Sequence, residues 1–414
     1  MSILRALQHR NFRLFFAGQG VSLMGTWMQI LAMSWLVYRL TGSPFLLGAV
    51  NFFSQVPSLI LGPVAGVVSD RFNRHKVIIW TQIFSMLQAA TVAGLVLTES
   101  INIWQLMLLS LCLGCINAFD MPARQSFVIE MIEDRRDLSN AIALNSMLFN
   151  LARLVGPSVA GLLVALVGEG VCFLFNALSF LAVIASLVAM RVRPHAAALQ
   201  DRKGLQELRE GYQYAFRAPH IRYLLLLTAV MSLMGLSFTV LMPVFAGDIF
   251  AGGPQTMGYL MAAMGLGAVC GSFYLASRPT AGGLEKVIPA AAALFGTTLV
   301  IFSFTRHIAA GLAVLFFAGL TMIMYISSTN TLLQTVVDDD KRGRVMSLYT
   351  MAFMGMAPLG SLFSGSLATH IGTPETVLLG GVVCIAGGIL FASRLPAMRD
   401  HFAAAFCRNT RRVE

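Results

Sequence analysis

Arg153 is the residue whose type and position most directly suggest chemistry, because it lies near the middle of a long apolar stretch of this 414-residue chain. An arginine at mid-membrane depth costs at least a few kcal/mol unless it faces water or a partner. Its guanidinium could bind the carboxylate, phosphate or catecholate oxygen of a ligand. It could equally be a buried arginine bonded to backbone carbonyls or to a nearby asparagine: Asn145, Asn150 or Asn176. The sequence leaves both interpretations open.

Small residues flank Arg153 and predict close helix packing. Ala152, Gly156 and Ala160 are spaced four apart, so they share one helix face. Pro157 and Gly161 lie on the same stretch. A face without large side chains lets a second helix approach closely in a membrane. We therefore expect one helix to carry both a single charge and a packing seam.

Acidic residues are missing from the middle of every apolar stretch. Asp70 and Asp120 lie at the ends of theirs, and Arg124 follows Asp120 at the i, i+4 spacing of one helix face. This pair could be a local ion pair worth about 0.3–0.5 kcal/mol, or it could belong to a gate. Arg124 is also a plausible partner for Asp70. Asn117 shares the same face, and a carboxylate buried beside it could hold a proton.

The elements that must position these residues are membrane helices. The chain is 57% hydrophobic and 12% charged, whereas soluble proteins carry about 25% charged residues. An apolar stretch of about 19 residues or more is long enough to span a bilayer. The sequence predicts an all-α integral membrane protein with twelve spans: Leu14–Tyr38, Pro44–Ser69, Val77–Thr98, Ile101–Phe119, Leu138–Gly168, Val171–Met190, Tyr223–Gly247, Gln255–Ser277, Val287–Thr305, Ile308–Leu333, Val345–Thr369 and Thr376–Ser393.

The distribution of positive charge predicts that both termini are cytoplasmic. In that orientation, all but three of the 29 lysines and arginines fall in inner loops and tails, the exceptions being Arg39, Arg306 and Arg153. This bias explains the net charge of +10 without nucleic-acid binding. Cys112 and Cys115 lie inside an apolar stretch without a second ligand pair, so we interpret them as packing residues rather than a metal or redox site.

A polar stretch divides the twelve spans into two groups of six. We predict a six-helix bundle over residues 1–190, a cytoplasmic linker over 191–222, a second bundle over 223–393 and a cytoplasmic tail over 394–414.

The two halves carry matching residues, which predicts two parallel six-helix repeats. A gapless shift of 204 residues aligns Gly156 with Gly360, and the Ser-Leu-Met-Gly of 22–25 recurs at 232–235. Arg153 aligns with Ala357. The fold itself therefore does not require the arginine.

The end of the second span resembles the cytoplasmic-loop signature of the major facilitator superfamily, Gly-x-x-x-Asp-Arg-x-Gly-Arg-Arg. It reads Gly66-Val-Val-Ser-Asp70-Arg71-Phe-Asn73-Arg74. Asn73 replaces a glycine, and because asparagine tolerates a left-handed backbone we expect the turn to be kept. The resemblance implies that Asp70, Arg71 and Arg74 form an inner latch, whereas a plain positive-inside loop would explain only the arginines. Gly62 and Gly66 are expected to admit a neighbouring helix.

The stretch around Arg153 resembles the antiporter signature of major facilitator exporters, Gly-x-x-x-Gly-Pro-x-x-Gly-Gly, with alanine at 152 and 160. This resemblance implies export, which the small residues alone do not. The runs Asn11–Phe15, Gly25–Gln29 and Asn117–Ser126 are similar to the enterobactin-exporter-like group, which includes macrolide efflux proteins.

The resemblance also implies which polar residues face the substrate. In this fold the first, second, fourth and fifth spans and their repeats line a central cavity. We therefore expect substrate contacts from Arg153 and from seven neutral residues: Gln19, Gln29, Asn51, Gln55, Asn150, Tyr325 and Asn330. Polar residues that do not line the cavity would form interhelical hydrogen bonds. Asp120 is the best candidate for the carboxylate that proton-driven exporters use.

We expect a monomeric exporter of a drug-like or siderophore-like compound in the bacterial inner membrane, working by alternating access. Proton coupling is implied only by the resemblance. A lipid or lysolipid translocator of the same fold is the alternative, and a membrane sensor or scaffold is a third. Membrane lipid and a small molecule are the expected partners. No enzyme activity, cofactor, metal or nucleic acid is expected.

Overall fold

Long helices make up most of the chain in the computed structural model, which describes residues 4–192, 212–278 and 282–410. Twelve helices within these ranges are long and apolar enough to span a membrane. They are α1 Arg10–Thr41, α2 Pro44–Arg71, α3 Arg74–Leu97, α4 Ile103–Glu130, α5 Leu138–Val167, α6 Glu169–Val188, α7 Pro219–Ile249, α8 Pro254–Ala276, α9 Leu284–Phe304, α10 Ile308–Val336, α11 Lys341–Ile371 and α12 Thr373–Thr410. The prediction of an all-α membrane protein with twelve spans is confirmed.

Capping residues explain where α2 and α3 begin. Ser43 accepts a hydrogen bond from a backbone N–H of the first turn of α2, and Pro44 occupies the first helical position. Asn73 accepts a hydrogen bond from the backbone N–H of Lys76 and has φ −63° and ψ 110°. The left-handed backbone that we expected at Asn73 is therefore wrong. The residue is extended because it caps α3.

The fourth helix is longer than the sequence predicts. The predicted span ends at Phe119, but α4 continues to Glu130. Ala123 and Phe127 are completely buried on this extension. The buried face continues past the end of the purely apolar run. The pair formed by Asp120 and Arg124 therefore lies inside α4 rather than at its end.

Two helices depart from regular α geometry. In α7, a π turn at Met231–Gly235 is followed by a 3₁₀ segment at Leu236–Leu241 and a second π turn at Phe245–Ile249. In α11, the α-helical hydrogen bonding is interrupted at Gly355. Such segments are uncommon in long helices and often mark functional sites or hinges.

The helices form two compact units. One contains α1 to α6 together with residues Pro243–Ala262, which are the end of α7 and the start of α8. In this unit α1 packs on α5 and α6, and α2 packs on α4. The other unit contains the rest of α7 and α8 with α9 to α12. There α9 packs on α10 and α12, and α11 packs on α7.

Candidate functional site

Arg153 lies half-buried on α5, over an aromatic ring of α1. Its guanidinium carbon is 5.9 Å from the centroid of Trp27, which is within the range of a cation–π interaction. Within the described part of the chain, Arg153 makes no hydrogen bond and no ion pair. A guanidinium has five N–H donors and no acceptor. These donors are therefore unused in this structure.

Two of the asparagines that could have bonded to Arg153 bond elsewhere. Asn150 donates to the carbonyl oxygen of Ser146 at 2.9 Å. Asn176 donates to Gln29 Oε1 at 2.5 Å. No amide oxygen accepts from Arg153 in the described structure, so the alternative of an arginine bonded to a neighbouring asparagine is not found there.

The charge and the packing seam of α5 share one neighbour, Trp27. Phe149, Arg153 and Gly156 are spaced i, i+4 and i+7, so they form one face of the helix. The rings of Phe149 and Trp27 are 5.7 Å apart and inclined at 70°. A Cβ built on Gly156 would lie 2.5 Å from Trp27 Cβ, closer than real atoms allow. The absence of a side chain at Gly156 thus permits the approach that places Trp27 beside Arg153.

A second close contact fixes the rotation of α1. A Cβ built on Gly25 would lie 2.5 Å from Asn176 Oδ1 and 2.6 Å from Ser179 Oγ, both on α6. Gly25 and Trp27 are two residues apart and therefore point in different directions around the helix. Because α1 presents Gly25 to α6, it presents Trp27 to α5.

Buried amides join four helices of the same unit. Gln29, which is 4% exposed, accepts from Asn176 and donates to Gln88 Oε1 at 3.2 Å. Gln88 in turn donates to the carbonyl oxygen of Leu109 at 3.2 Å. The network connects α1, α3, α4 and α6. Gln29, a candidate substrate residue, thus has both amide groups engaged with other helices.

The remaining neutral candidates occupy varied surroundings. Gln19 is 3% exposed, and its Oε1 has no hydrogen-bond partner among the described residues. Gln55 donates to Asn51 within α2. In the second unit, the buried Tyr325 hydroxyl donates to Thr228 Oγ1 at 3.2 Å, and Asn330 accepts from Gln334 at 2.7 Å.

Asp120 is buried in a set of hydrogen bonds between α3 and α4. Its Oδ1 accepts from Thr81 Oγ1 at 2.7 Å and from Gln82 Nε2 at 2.8 Å. Its Oδ2 forms an ion pair with Arg124. Asn117 is exposed and is not among the hydrogen-bond partners of Asp120 in the described structure. The carboxylate of Asp120 is buried against α3, where Thr81 and Gln82 supply two hydrogen-bond donors.

The predicted inner latch is only partly visible. The side chain of Asp70 lies outside the described residues, so its predicted pairing with Arg124 stays a prediction. Arg71 is exposed. Arg74 donates from Nη1 to Glu130 at 2.9 Å and from Nε to the carbonyl oxygen of Ser69 at 3.2 Å. Arg74 thus joins the start of α3 to the ends of α2 and α4.

The predicted glycine contacts divide into two groups. A Cβ on Gly62 or Gly66 would meet no heavy atom within 4 Å, so the close helix contact predicted at these positions is not found in the described structure. A Cβ on Gly161 would lie 2.7 Å from the carbonyl oxygen of Pro254 and 2.9 Å from Gly258 Cα. Gly161 therefore packs against the start of α8.

Comparison with known families decides what kind of protein carries this site. The profile of the transmembrane secretion effectors, a branch of the major facilitator superfamily, matches residues 1–409. The chain belongs to the transmembrane secretion effector family.

The chain is similar to several proteins that are named as transporters. The staphyloferrin A transporter of Staphylococcus aureus is 25% identical over 389 residues, which cover 92% of this chain and 96% of that protein. Macrolide efflux protein A of Streptococcus pyogenes is 25% identical over 397 residues, covering 92% of this chain and 96% of the relative.

A solved structure shows the same fold. It is an inward-facing, unoccupied bacterial homolog of the human lysosomal transporter Spinster, with a TM-score of 0.67 and 13% identity, covering 96% of this chain and 97% of that one. The family match over residues 1–409 and the similarity to bacterial transporters identify the chain as a multi-pass transporter of the bacterial inner membrane rather than an enzyme, as the sequence predicted.

An ion pair and a hydrogen bond lie near the C-terminal end of α1. Arg39 forms a bidentate ion pair with Glu169 at the start of α6, at 2.8 and 3.3 Å. The Tyr38 hydroxyl donates to Asp248 Oδ1 at 2.5 Å. Asp248 lies in the Pro243–Ala262 segment that belongs to the same compact unit as α1.

Several residues of these clusters were absent from the sequence-based candidates, namely Trp27, Phe149, Thr81, Gln82 and Glu130. A signal existed for Trp27, because it belongs to the run Gly25–Gln29 that carries the family resemblance. Glu130 could have been found only if α4 had been extended past the apolar run.

Proposed function

We propose that this secretion effector exports a small organic compound, drug-like or siderophore-like, that carries an anionic group bound by Arg153. The observation that carries the proposal is a cation within a membrane helix whose N–H donors have no acceptor in the described structure. Retaining such a charge is costly, so arginines within spans usually serve a substrate or ion pathway. A carboxylate or phenolate would supply the missing acceptors through charge-assisted hydrogen bonds.

The direction and class of transport are supported by the relatives. One similar protein is named a staphyloferrin A transporter and another a macrolide efflux protein. Their names belong to those proteins, and for this chain they support export of a comparable compound.

Alternating access, with parallel six-helix repeats and cytoplasmic termini, completes the proposal. It is supported by the two compact units and by the positive charge of the predicted inner loops. We assign Asp120 a structural role instead of proton transfer, because Thr81, Gln82 and Arg124 together occupy both of its oxygens.

The test uses inside-out membrane vesicles that contain the protein, so that export appears as uptake. Radiolabelled siderophores and anionic, neutral and cationic drugs are compared with vesicles lacking the protein. Anionic compounds should accumulate. Arg153→Gln should reduce their uptake about tenfold or more, because a charge-assisted hydrogen bond contributes about 1.5–3 kcal/mol.

A matched control is Arg306→Gln. Arg306 is exposed and, among the described residues, bonds only to the carbonyl oxygens of Ser303 and Thr305 in its own chain segment. Its loss should leave uptake unchanged. Equal uptake by the Arg153→Gln variant and the wild type, or uptake of none of the compounds, would contradict the proposal.

A further inference from the structure

Arg153 is accompanied by two aromatic rings, although a cation alone would be enough to bind an anion. Trp27 lies under the guanidinium, and Phe149 meets Trp27 edge to face. Phe149 is 45% exposed, and Trp27 is only partly buried. The three side chains therefore present one charged and two flat surfaces to whatever occupies the space beside them.

The close contact at Gly156 does not need the indole. Gly156 requires only that α1 place a backbone or a Cβ against it, since the close contact is with Trp27 Cβ and not with the ring. At the corresponding contact in the second unit, Gly360 lies against Ser237 of α7. A small side chain therefore satisfies the same type of packing. The ring of Trp27, which packs on Phe149 and lies under Arg153, needs an explanation other than this close approach.

Stacking provides that explanation. A guanidinium is planar and stacks on aromatic faces while its edge donates hydrogen bonds to an oxyanion. An indole face in turn stacks on flat rings, preferably offset or edge to face. A ligand whose negative oxygens are attached to an aromatic ring would satisfy the donors of Arg153 and cover the surfaces of Trp27 and Phe149 at once.

We propose that this site selects organic anions whose carboxylate or phenolate is attached to a flat aromatic ring. Arg153 binds the oxygens and Trp27 stacks on the ring, which makes Trp27 a specificity-determining residue. The inference rests on the proposed function only in taking Arg153 as the substrate-binding residue.

Binding can be measured without transport, using Trp27 as its own reporter. The other tryptophans, Trp35, Trp80 and Trp104, are replaced by phenylalanine so that fluorescence comes from Trp27 alone. The probes are benzoate, cyclohexanecarboxylate and benzyl alcohol, which separate charge from ring. Benzoate should quench Trp27 with a Kd at least about tenfold lower than either of the other two compounds.

Three variants assign the preference to residues, with ligand-induced thermal stabilisation as the readout. Trp27→Leu should reduce benzoate binding to the level of cyclohexanecarboxylate, and Trp27→Phe should keep the aromatic preference. Arg153→Gln should weaken both carboxylates equally. The melting temperature without ligand shows whether each variant is folded. If Trp27→Leu does not fold, Trp27→Phe is the test variant, and it should still prefer benzoate.

Two results would overturn the inference. One is equal affinity of the wild type for benzoate and cyclohexanecarboxylate, and the other is unchanged benzoate preference without the aromatic side chain at 27. Binding as expected together with no vesicle uptake of any compound would overturn the proposed function and leave this inference standing. Uptake that depends on Arg153 but not on an aromatic ring would overturn this inference alone.

Discussion

The contact between α1 and α5 and the contact between α7 and α11 are built in the same way but have different neighbours. In the first, Gly156 lies against Trp27 and the α1 backbone, and in the second Gly360 lies against Ser237 and the α7 backbone. One turn before each glycine, Arg153 in the first contact corresponds to Ala357 in the second. The close approach is common to both contacts, whereas the charge and the ring occur in one.

This difference separates what the fold needs from what one site needs. A helix contact in a membrane is stabilised by small residues and tight packing, and both contacts meet that condition. Arg153 and Trp27 are not required for this close approach, since the second contact forms with Ala357 and Ser237 at the corresponding positions. This difference is what the proposed ligand site accounts for.

The largest expected effect on stability comes from removing a charge that has a counterion. Asp120, which is paired with Arg124, is compared with Arg153, which has no ion pair in the described structure. Asp120→Asn should lower the free energy of unfolding by about 3–5 kcal/mol, because it leaves Arg124 partly buried without its counterion. Thermal unfolding in detergent measures this change. The control is Arg153→Gln, which should lower the free energy of unfolding by no more than about 0.5–2 kcal/mol, because Arg153 has a cation–π contact with Trp27 but no counterion to lose. A folded Asp120→Asn variant whose transport no longer follows an imposed pH gradient would instead identify Asp120 as the proton carrier.

Adding a side chain at either glycine should produce the next largest effect. Gly156→Val and Gly360→Val should each cost about 1–3 kcal/mol of stability, since the added atoms overlap α1 or α7. Melting temperatures of the two variants should fall together. Gly62→Val is the matched control, because space is open around Gly62, and it should melt with the wild type. A fall in only one of the two variants would show that the contacts are not equivalent.

The interaction between Arg153 and Trp27 can be measured by a double-mutant cycle. Arg153→Gln, Trp27→Leu and their combination should give a coupling free energy of about 0.5–2 kcal/mol, as expected for a cation–π pair. The corresponding cycle with Ala357→Gly and Ser237→Ala should give almost none. Similar coupling in both cycles would remove the contrast between the two contacts.

The smallest expected effect concerns a hydrogen bond between the C-terminal ends of α1 and α7. Tyr38→Phe removes the hydroxyl that α1 donates to Asp248 at the end of α7. We expect a loss of about 1 kcal/mol, the net value of one hydrogen bond. Arg39 and Glu169 stay paired in this variant, so Glu169→Gln serves as an independent comparison. No change in melting temperature would show that the hydrogen bond does not stabilise this state.

The twelve spans could be predicted because their signal is length and apolar composition, which are properties of the sequence alone. The isolated charge of Arg153 could be recognised for the same reason. Its neighbour Trp27 could not be inferred from spacing, since which face of α1 meets α5 is decided by contacts such as that of Gly25 with α6.

Sequence also fails to distinguish polar residues that face a ligand from those that join helices. Gln29 and Gln19 both sit in apolar runs, yet Gln29 is fully bonded to other amides while Gln19 retains an unpaired oxygen. Likewise, Gly62 and Gly66 have the same four-residue spacing as Ala152 and Gly156. Only the second pair lies against a neighbouring helix in the described structure, because spacing creates a smooth face but does not choose its partner.

The irregular turns of α7 determine how its backbone hydrogen bonds are arranged. One boundary between the compact units falls between Met242 and Pro243, directly after the 3₁₀ segment and before the second π turn. A 3₁₀ turn rises about 0.5 Å more per residue than an α turn, and a residue's carbonyl can change partners at such a transition. In this part of α7 the hydrogen bonds therefore run over five and three residues, whereas those of Pro219–Val230 keep the α-helical spacing of four.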